Sequence, residues 1–366
     1  MRRAAGDHAK AICLRAGLTG IFLGLDRFST GMKEALHWHE KDGKVVCDLC
    51  PRACVLKDGQ TGACGVRQAL KGKLFAMTYA KPCSTHVDPV EKKPLYHFYP
   101  GEGIFSIATI GCNLFCDFCQ NWEISKAKHD ELEAQEELSP HAVIRRAEDA
   151  GCRLIAFTYT EPTIFFEYAL DIAKEAKKAG MECVIVSNGY TSEAATKQWA
   201  PYLSAANIDL KGTANFYKQR CKVPDYEPVK KTIVLLKKLG VHVEVTNLLI
   251  PGENDSPEEI EQLAKWLAKE AGRDTPLHFS AFRPEYKLLE KASTPTETLL
   301  KAREIAKKHL DHVYLGNVSG VDNNTYCPKC DAVVIERPRY QGVSHLKNGK
   351  CPECGEASPG RFSRKK

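Results

Sequence analysis

The sequence has no long hydrophobic run and no large excess of charge of either sign. Across its 366 residues, no stretch approaches the roughly 18 consecutive apolar residues that a membrane-spanning helix requires, so no membrane partner is expected. The 52 basic and 46 acidic residues leave a formal charge of only +6, and no continuous basic or aromatic stripe is present. Nucleic acid is therefore not an expected partner.

The first 33 residues also lack the features of an export signal. Their apolar patch, residues 17–25, is short, and no convincing small-residue cleavage site follows it. We expect residues 1–33 to form a disordered leader and the protein to be cytoplasmic. The last residues of the sequence are typical of a solvated basic tail, with Arg361, Arg364, Lys365 and Lys366.

Cysteine, by contrast, is abundant. Eleven of the sixteen cysteines fall into three groups with short spacings, which read C-x2-C-x3-C-x9-C, C-x3-C-x2-C and C-x2-C-x20-C-x2-C. In a chain of this length without an export signal, such groups indicate metal or cluster ligands rather than disulfides.

The order of predicted strands and helices indicates an α/β protein in three parts. Residues 34–100 form a Cys-rich segment, and residues 101–320 alternate short β-rich runs with helical segments. This alternation predicts a parallel sheet, and six or seven units fit a full or partial (β/α) barrel better than the alternative, an open doubly wound sheet. Residues 321–366 form a small zinc-ribbon-like module that ends in the basic tail.

The central cysteine motif predicts an iron–sulfur cluster with one open iron. Cys112, Cys116 and Cys119 lie within eight residues on a loop that leaves a predicted strand, and three thiolates can hold three irons of a cubane. The fourth iron stays free to bind a substrate or cofactor, as in an open catalytic metal site. A structural zinc site needs a fourth ligand, and the next Cys or His along the chain is His129.

With Phe118 as its aromatic residue, this motif resembles the signature of radical S-adenosylmethionine (SAM) enzymes. Further motifs are similar to the pyruvate formate-lyase activating enzyme branch, and more closely to the AmmeMemoRadiSam system radical SAM enzymes. The resemblance covers residues 35–320, and its motifs occur in order at residues 47–54, 62–67, 159–163, 208–211, 249–255 and 278–284. It implies a partial barrel of the radical SAM type, a [4Fe–4S] cluster and SAM as cofactor.

The resemblance also implies a reaction. In the superfamily, reductive cleavage of SAM gives methionine and a 5′-deoxyadenosyl radical, which abstracts a hydrogen atom. An electron donor such as a ferredoxin or flavodoxin is therefore an expected partner. Cofactor-binding candidates near predicted strand ends, where barrel enzymes place their chemistry, are Glu161, Asn188, Asp209, Lys211, Asn247 and His278.

Each of these candidates has a structural alternative. Glu161 beside Pro162 could be a helix N-terminal acid, and Asn188 precedes a glycine, as in a turn. Asp209 and Lys211 should point to one face of their strand, either toward the cofactor or as an ion pair. Asn247 and His278 are expected to face the barrel interior, where a lone histidine is often structural.

The two flanking cysteine groups predict further metal sites. One group supplies four thiolates for an auxiliary iron–sulfur cluster or for zinc, and spacing does not decide between them: Cys47, Cys50, Cys54 and Cys64. The other predicts a zinc ribbon, although the same geometry suits a rubredoxin-like iron: Cys327, Cys330, Cys351 and Cys354.

An enzyme is the leading functional hypothesis: radical chemistry on an unidentified substrate, with a protein glycine as the candidate that the activating-enzyme likeness favours. One alternative is an iron–sulfur electron-transfer or scaffold protein, against which the cofactor-pocket residues argue. The other is a zinc-ribbon nucleic-acid-binding protein, against which the missing basic and aromatic stripe argues.

Overall fold

The computed structural model describes residues 32–129, 136–338 and 340–362. The leader expected at residues 1–33 lies outside the described residues except for its last two positions, as does the end of the basic tail at 363–366. Within the described ranges, no helix is long and apolar enough to cross a membrane.

Two small antiparallel sheets form the N-terminal segment. The six strands are β1 (Lys33–Glu34), β2 (Trp38–Lys41), β3 (Lys44–Cys47), β4 (Val55–Leu56), β5 (Arg67–Leu70) and β6 (Lys73–Ala76). One sheet has the order β2-β3-β4 and the other β1-β6-β5. Val45, Leu49 and Val66 pack into the same hydrophobic core as the outer face of the barrel, so this segment is docked on the barrel.

The central sheet has eight strands in sequential order. They are β7 (Ser84–Pro89), β8 (Gly103–Ala108), β9 (Leu154–Phe157), β10 (Glu182–Ser187), β11 (Leu203–Asp209), β12 (His242–Leu249), β13 (Leu277–Ala281) and β14 (Val313–Gly316). Neighbours from β8 to β14 pair in parallel, and β7 pairs antiparallel with β8 at one edge. A doubly wound sheet would reverse its order, so the predicted partial barrel is confirmed.

Helices connect the parallel strands. They are α1 (Trp122–Ser125), α2 (Pro140–Asp149), α3 (Phe166–Lys178), α4 (Glu193–Trp199), α5 (Ala214–Phe216), α6 (Glu227–Lys238), α7 (Pro257–Glu270) and α8 (Thr296–Lys307). Three begin at a serine whose hydroxyl accepts from the backbone N–H three residues further on: Ser139, Ser192 and Ser256. These caps explain why the helix starts could be predicted.

The segment between β7 and β8 fills the barrel interior. Its side chains Val90, Leu95 and Phe98 form a core with strand residues that include Ile104 and Ala156. This core is separate from the larger one under the helices, as expected when alternate residues of each strand face opposite sides.

A three-stranded antiparallel sheet forms the C-terminal module, with β15 (Thr325–Tyr326), β16 (Val333–Glu336) and β17 (Val343–Ser344). Arg337, directly after β16, donates a hydrogen bond to the carbonyl oxygen of Tyr96 at 2.6 Å. Its guanidinium carbon lies 4.3 Å from the centroid of the same tyrosine ring. The module is therefore held against the segment that fills the barrel.

Candidate active site

The C-x3-C-x2-C loop follows β8, at the carboxyl edge of the parallel strands. Gly111 begins it with φ +93°, and a Cβ at this position would lie 2.7 Å from the carbonyl oxygen of Cys64, so the close approach requires glycine. Asn113 donates from its side-chain amide to the carbonyl oxygen of Tyr190 at 2.7 Å. The loop is thus fixed between the N-terminal segment and the turn after β10.

The three thiols of this loop have different surroundings. Burial raises the pKa of Cys112, and the nearby Glu161 adds to the increase. The sulfur of Cys119 lies 3.1 Å from the hydroxyl oxygen of Ser125. The neighbouring thiol of Cys221 lowers the pKa of Cys116.

Cys221 was not identified from the sequence, because it lies outside the three cysteine groups. It ends a π-helical turn, Tyr217–Cys221, and its carbonyl oxygen accepts from the N–H of Phe115 at 3.1 Å. The N–H of Asp117 likewise donates to the carbonyl oxygen of Arg220 at 3.0 Å. No local motif signals this pairing, because it joins segments about a hundred residues apart.

Glu161 follows β9 and is fully buried. Its carboxylate accepts from the N–H and hydroxyl of Thr163 at 2.9 and 2.7 Å, from the Ser187 hydroxyl at 2.7 Å and from the Asn188 N–H at 2.8 Å. Burial raises the pKa of Glu161 in spite of these donors. The side chain therefore has the helix-capping role that was its alternative, and it joins two turns at the carboxyl edge.

Asn188 lies directly beside the cysteine loop. Its side-chain amide donates to Asn113 Oδ1 at 2.9 Å and to the sulfur of Cys112 at 3.7 Å. Its own Oδ1 accepts from the N–H of Tyr190 at 2.8 Å. Because amide donors to sulfur tune cluster ligands, Asn188 is placed to orient and stabilise the Cys112 thiolate.

Asp209 and Lys211 point to the same side, and Lys211 Nζ lies 2.7 Å from Asp209 Oδ2. Burial alone would lower the pKa of Lys211, but Asp209 and Cys116 outweigh it and hold the pKa well above its usual range. The Asp209 side chain stays 32% exposed, against 13% for Lys211. The pair thus combines a mostly buried cation beside the cysteine loop with a carboxylate that solvent can reach.

The direction expected for Asn247 is wrong. Its neighbours Glu244 and Thr246 face the barrel interior, where Glu244 accepts from the backbone N–H groups of Tyr96 and His97 at 3.0 and 2.8 Å. Asn247, in the opposite phase of the strand, points outward and donates to the carbonyl oxygen of Leu210 at 2.6 Å.

His278 does face the interior, as expected, but it is already paired. Its Nε2 lies 2.6 Å from Glu244 Oε2, and only 3% of the side chain is exposed. The ring packs edge-on against Tyr96, with 4.8 Å between the centroids. The structure therefore gives His278 a buried structural pairing.

A second interior cluster was missed from the sequence. Tyr159, with φ +65°, donates from its hydroxyl to Asp88, and Lys93 Nζ lies 4.3 Å from the centroid of the Tyr159 ring. Lys93 also pairs with Asp88 at 2.6 Å, and Ser106 donates to the same carboxylate at 2.9 Å. Tyr159 thus directs its aromatic ring and hydroxyl toward the acid.

The C-terminal quartet has the dimensions of a single-metal site. The sulfurs of Cys327 and Cys354 lie 3.5 Å apart, and those of Cys330 and Cys351 lie 3.6 Å apart. A tetrahedral zinc with Zn–S bonds near 2.3 Å would separate its sulfurs by about 3.8 Å. All four sulfurs lie within 4.8 Å of one another, so the module can hold a metal ion.

The N-terminal thiols are also near one another. Burial raises the pKa of Cys50 to about 11, and the nearby thiols of Cys47 and Cys54 contribute. Burial likewise raises the pKa of Cys64 to about 12, with contributions from Cys47 and Cys50. Four thiols therefore share one region of the N-terminal segment.

Comparison with known proteins gives the following matches. The family model described as the radical SAM superfamily matches residues 106–267. An uncharacterized protein of Methanocaldococcus jannaschii is 43% identical over 331 residues, which cover 89% of this chain and 98% of that protein. Another protein of that organism, with the provisional name glycyl-radical enzyme activating enzyme, is 28% identical over 240 residues, 61% of this chain and 92% of that protein.

Among solved structures, a domain of pyruvate-formate lyase-activating enzyme from Bacteroides vulgatus has a TM-score of 0.39 and 19% identity, over 44% of this chain and 98% of that chain. A partial barrel with three cysteines on one loop at its carboxyl edge is the arrangement expected of an iron–sulfur enzyme. The chain is an enzyme of the radical SAM superfamily, and it is similar to the M. jannaschii protein with the provisional name glycyl-radical enzyme activating enzyme.

Proposed function

We propose that the chain cleaves SAM reductively at a [4Fe–4S] cluster held by Cys112, Cys116 and Cys119, and abstracts a hydrogen atom from a protein glycine. The observation that carries the proposal is the three-cysteine loop at the carboxyl edge of the barrel. When bound, the cluster supplies an electron and an open iron for the cofactor.

The residues around the loop fit such a cluster. The sulfur of Cys112 accepts from the N–H of Leu114 at 3.4 Å and from the amide of Asn188, as an anionic cluster ligand requires. Lys126 donates to the carbonyl oxygen of Leu114 at 2.8 Å, so it holds the loop and brings a positive charge near the thiolates. These contacts stabilise the ligand loop before any cofactor binds.

Asp209 is the residue that we assign to the cofactor's polar groups. Its carboxylate is partly exposed at the carboxyl edge, and Lys211 holds it in place beside Cys116. A fixed carboxylate can accept hydrogen bonds from an amino group or from ribose hydroxyls. Lys211 would act as a positioning residue that holds the Asp209 carboxylate in place.

A protein glycine is supported as substrate by the activating-enzyme relative. The polar interior cluster of Asp88, Lys93 and Tyr159 offers hydrogen-bonding groups inside the barrel, where a peptide backbone could bind. We place the enzyme in a reducing cytoplasm with a ferredoxin or flavodoxin as its electron donor.

Zinc is the metal that we assign to the C-terminal quartet, because its sulfur separations match one tetrahedral ion. Metal analysis of wild type and of Cys351→Ser distinguishes zinc from a rubredoxin-like iron. We expect the variant to lose about one zinc per chain and no iron.

Anaerobic turnover tests the enzymatic proposal. The protein is reconstituted with iron and sulfide, reduced, and mixed with SAM, and 5′-deoxyadenosine is then measured. We expect product from wild type and from Cys152→Ala, which changes a buried cysteine outside the three groups, but none from Cys119→Ala. Wild type that contains the cluster yet forms no more product than Cys119→Ala would refute the proposal. Transfer of the radical to a glycine-containing protein is then followed by electron paramagnetic resonance (EPR).

A further inference from the structure

A cleft on the outer side of the barrel wall lies behind the segment that carries Asp209 and Lys211. It encloses about 540 Å³ of space, part of it open to solvent, and residues of α6 and α7 line it. Leu210, between the two charged residues, and Asn247 of β12 also line the cleft. Both side chains belong to residues that are 2% exposed, so the cleft reaches the buried wall of the barrel.

Lys230, on α6, is the one cation among the residues that line this cleft. Its Nζ lies 4.9 Å from the centroid of the Tyr226 ring and 5.0 Å from that of the Trp266 ring. The Lys230 side chain is 17% exposed, whereas Glu227, its carboxylate partner at 2.9 Å, is 53% exposed. Because an ion pair with a solvent-exposed partner is weak, Lys230 can bind an anion that enters the cleft.

The walls of the cleft favour a planar ligand. Two apolar side chains of α7 line it together with the Tyr226 and Trp266 rings: Ile260 and Leu263. Apolar and aromatic walls with convergent polar groups are typical of small-molecule sites, and aromatic side chains pack well against a flat ring. Glu259 is the one carboxylate that lines the cleft, and it lies in the first turn of α7, where the helix N-terminus stabilises its charge. The cleft therefore suits a ring that carries a negatively charged substituent.

Two asparagines connect the cleft to the backbone of residues 209–211. Asn247 donates to the carbonyl oxygen of Leu210, and Asn254, which also lines the cleft, donates to that of Lys211 at 2.7 Å. Both asparagines are buried. Their amides thus hold the backbone that carries the charged pair.

Tyr217 forms a third connection. Its hydroxyl donates to the carbonyl oxygen of Asp209 and accepts from the N–H of Lys211, each over 3.1 Å. Its ring packs against Tyr226, with 5.9 Å between the centroids. A ligand ring that packs on Tyr226 therefore acts, through one side chain, on the backbone of both charged residues.

We propose that this cleft is an effector site for a small molecule with a planar ring and one anionic group, and that its occupancy strengthens SAM binding. The effector role rests on the proposed function, because it acts through Asp209, the residue assigned to the cofactor. A bound ring holds Tyr226 and Tyr217 in place, and with them the backbone of Asp209. Because coupling between two sites is reciprocal, SAM strengthens effector binding by the same factor.

Naphthalene-2-carboxylate is a probe for the site, and isothermal titration calorimetry on the reconstituted wild type measures its Kd. We expect roughly tenfold weaker binding of the neutral naphthalene-2-carboxamide, which lacks the charge that Lys230 binds. Lys230→Met should weaken carboxylate binding by a similar factor, whereas Lys230→Arg should retain it. Lys197→Met, in an exposed pair outside the cleft, is the control and should bind the probe like wild type.

The site is refuted if the carboxylate does not bind to wild type, or if wild type and Lys230→Met bind it equally. Tighter binding of 2-naphthylmethylamine, a cation that Glu259 could pair with, would also overturn it. The comparison of charged and neutral probes is made on wild type, so it does not depend on the folding of any variant.

Binding of SAM to the reconstituted enzyme, measured with and without saturating probe, tests the effector role. We expect the probe to lower the Kd for SAM about fivefold, at the low end of typical coupling between sites. Tyr217→Phe removes the hydroxyl that joins the cleft to the charged pair, so it should bind the probe but lose the coupling.

The possible failures are distinguishable. A Kd for SAM that the probe leaves unchanged in wild type would refute the effector role and leave the site standing. Wild type that contains the cluster and binds the probe, but neither binds nor cleaves SAM, would refute the proposed function instead. SAM cleavage by wild type that does not bind the probe would refute only the cleft.

Discussion

Arg67 and Glu167 form a buried ion pair, with Arg67 Nη1 2.8 Å from Glu167 Oε2, that joins β5 to α3. Arg67 also donates to the carbonyl oxygen of Leu36 at 2.7 Å, and the N–H of Leu36 donates to Glu167 at 2.7 Å. The pair thus fixes the N-terminal segment, with its four cysteines, on the first helix after the Glu161 turn. Arg67 and Glu167 therefore determine where the four N-terminal cysteines lie relative to the barrel.

Removing one partner of this pair should be costly. We expect Glu167→Gln to lower the free energy of unfolding by about 3–5 kcal/mol, because it leaves a buried guanidinium without its main counterion. Glu34→Gln breaks the exposed pair with Lys73 and should cost less than about 1 kcal/mol. Urea unfolding of both variants under reducing conditions measures the difference, and equal effects would contradict the assigned role of Glu167.

The contact between Cys116 and Cys221 leads to a prediction about cluster ligation. Cys221 lies on the π-helical turn, outside the three-cysteine loop, so we expect it to be a neighbour of the cluster rather than a ligand. Cys221→Ala should keep the active-site iron, whereas Cys116→Ala should lose it. Both changes are made in a background of Cys50→Ala/Cys64→Ala, so that the counted iron belongs to one site. Loss of iron in both variants would make Cys221 a ligand.

Asp209 and Lys211 should control binding of the cofactor. We expect Asp209→Asn in the reconstituted enzyme to raise the Kd for SAM by roughly tenfold, the loss of about 1.4 kcal/mol of binding free energy. Lys211→Met should raise the Kd for SAM less, because it frees the Asp209 carboxylate from its partner but does not remove it. Lys197→Met, in the exposed pair with Glu193, is the matched control and should leave the Kd unchanged. A normal Kd in Asp209→Asn would remove this residue from the cofactor site.

Much of the barrel could be predicted from the sequence, since buried parallel strands and amphipathic helices leave strong patterns. The alternation of strands and helices predicted for residues 101–320 is found in β8 to β14 and the helices between them. The edge strand β7 was missed because His86 and Asp88 interrupt its apolar pattern. Its antiparallel pairing with β8 is a tertiary feature that no local signal reports.

The site was harder to predict than the fold because its contacts are long-range. Asn247 was expected to face inward. Glu244, whose carboxylate is bound inside the barrel, determines instead which residues of β12 face the interior. Local composition suggests the opposite, since an isolated acid in a strand usually faces solvent. The contact of Cys221 with Cys116 depends on backbone pairing between distant loops.

Glu244 gives the last prediction, which concerns pH. Burial alone would raise the pKa of Glu244, but hydrogen bonds with His242 and His278 outweigh it and hold the pKa well below its usual range. A depressed folded-state pKa stabilises the protein above the unfolded-state value of about 4.3, and this stability is lost as the pH falls below it. Glu244→Gln should therefore be less stable than wild type at pH 7, and the deficit should shrink below about pH 4. Glu336→Gln, in an exposed pair with His345, should show no such trend in urea unfolding from pH 7 to 3.5. A Glu244→Gln deficit that stays constant or grows toward low pH would show that the carboxylate is not ionised in the folded barrel.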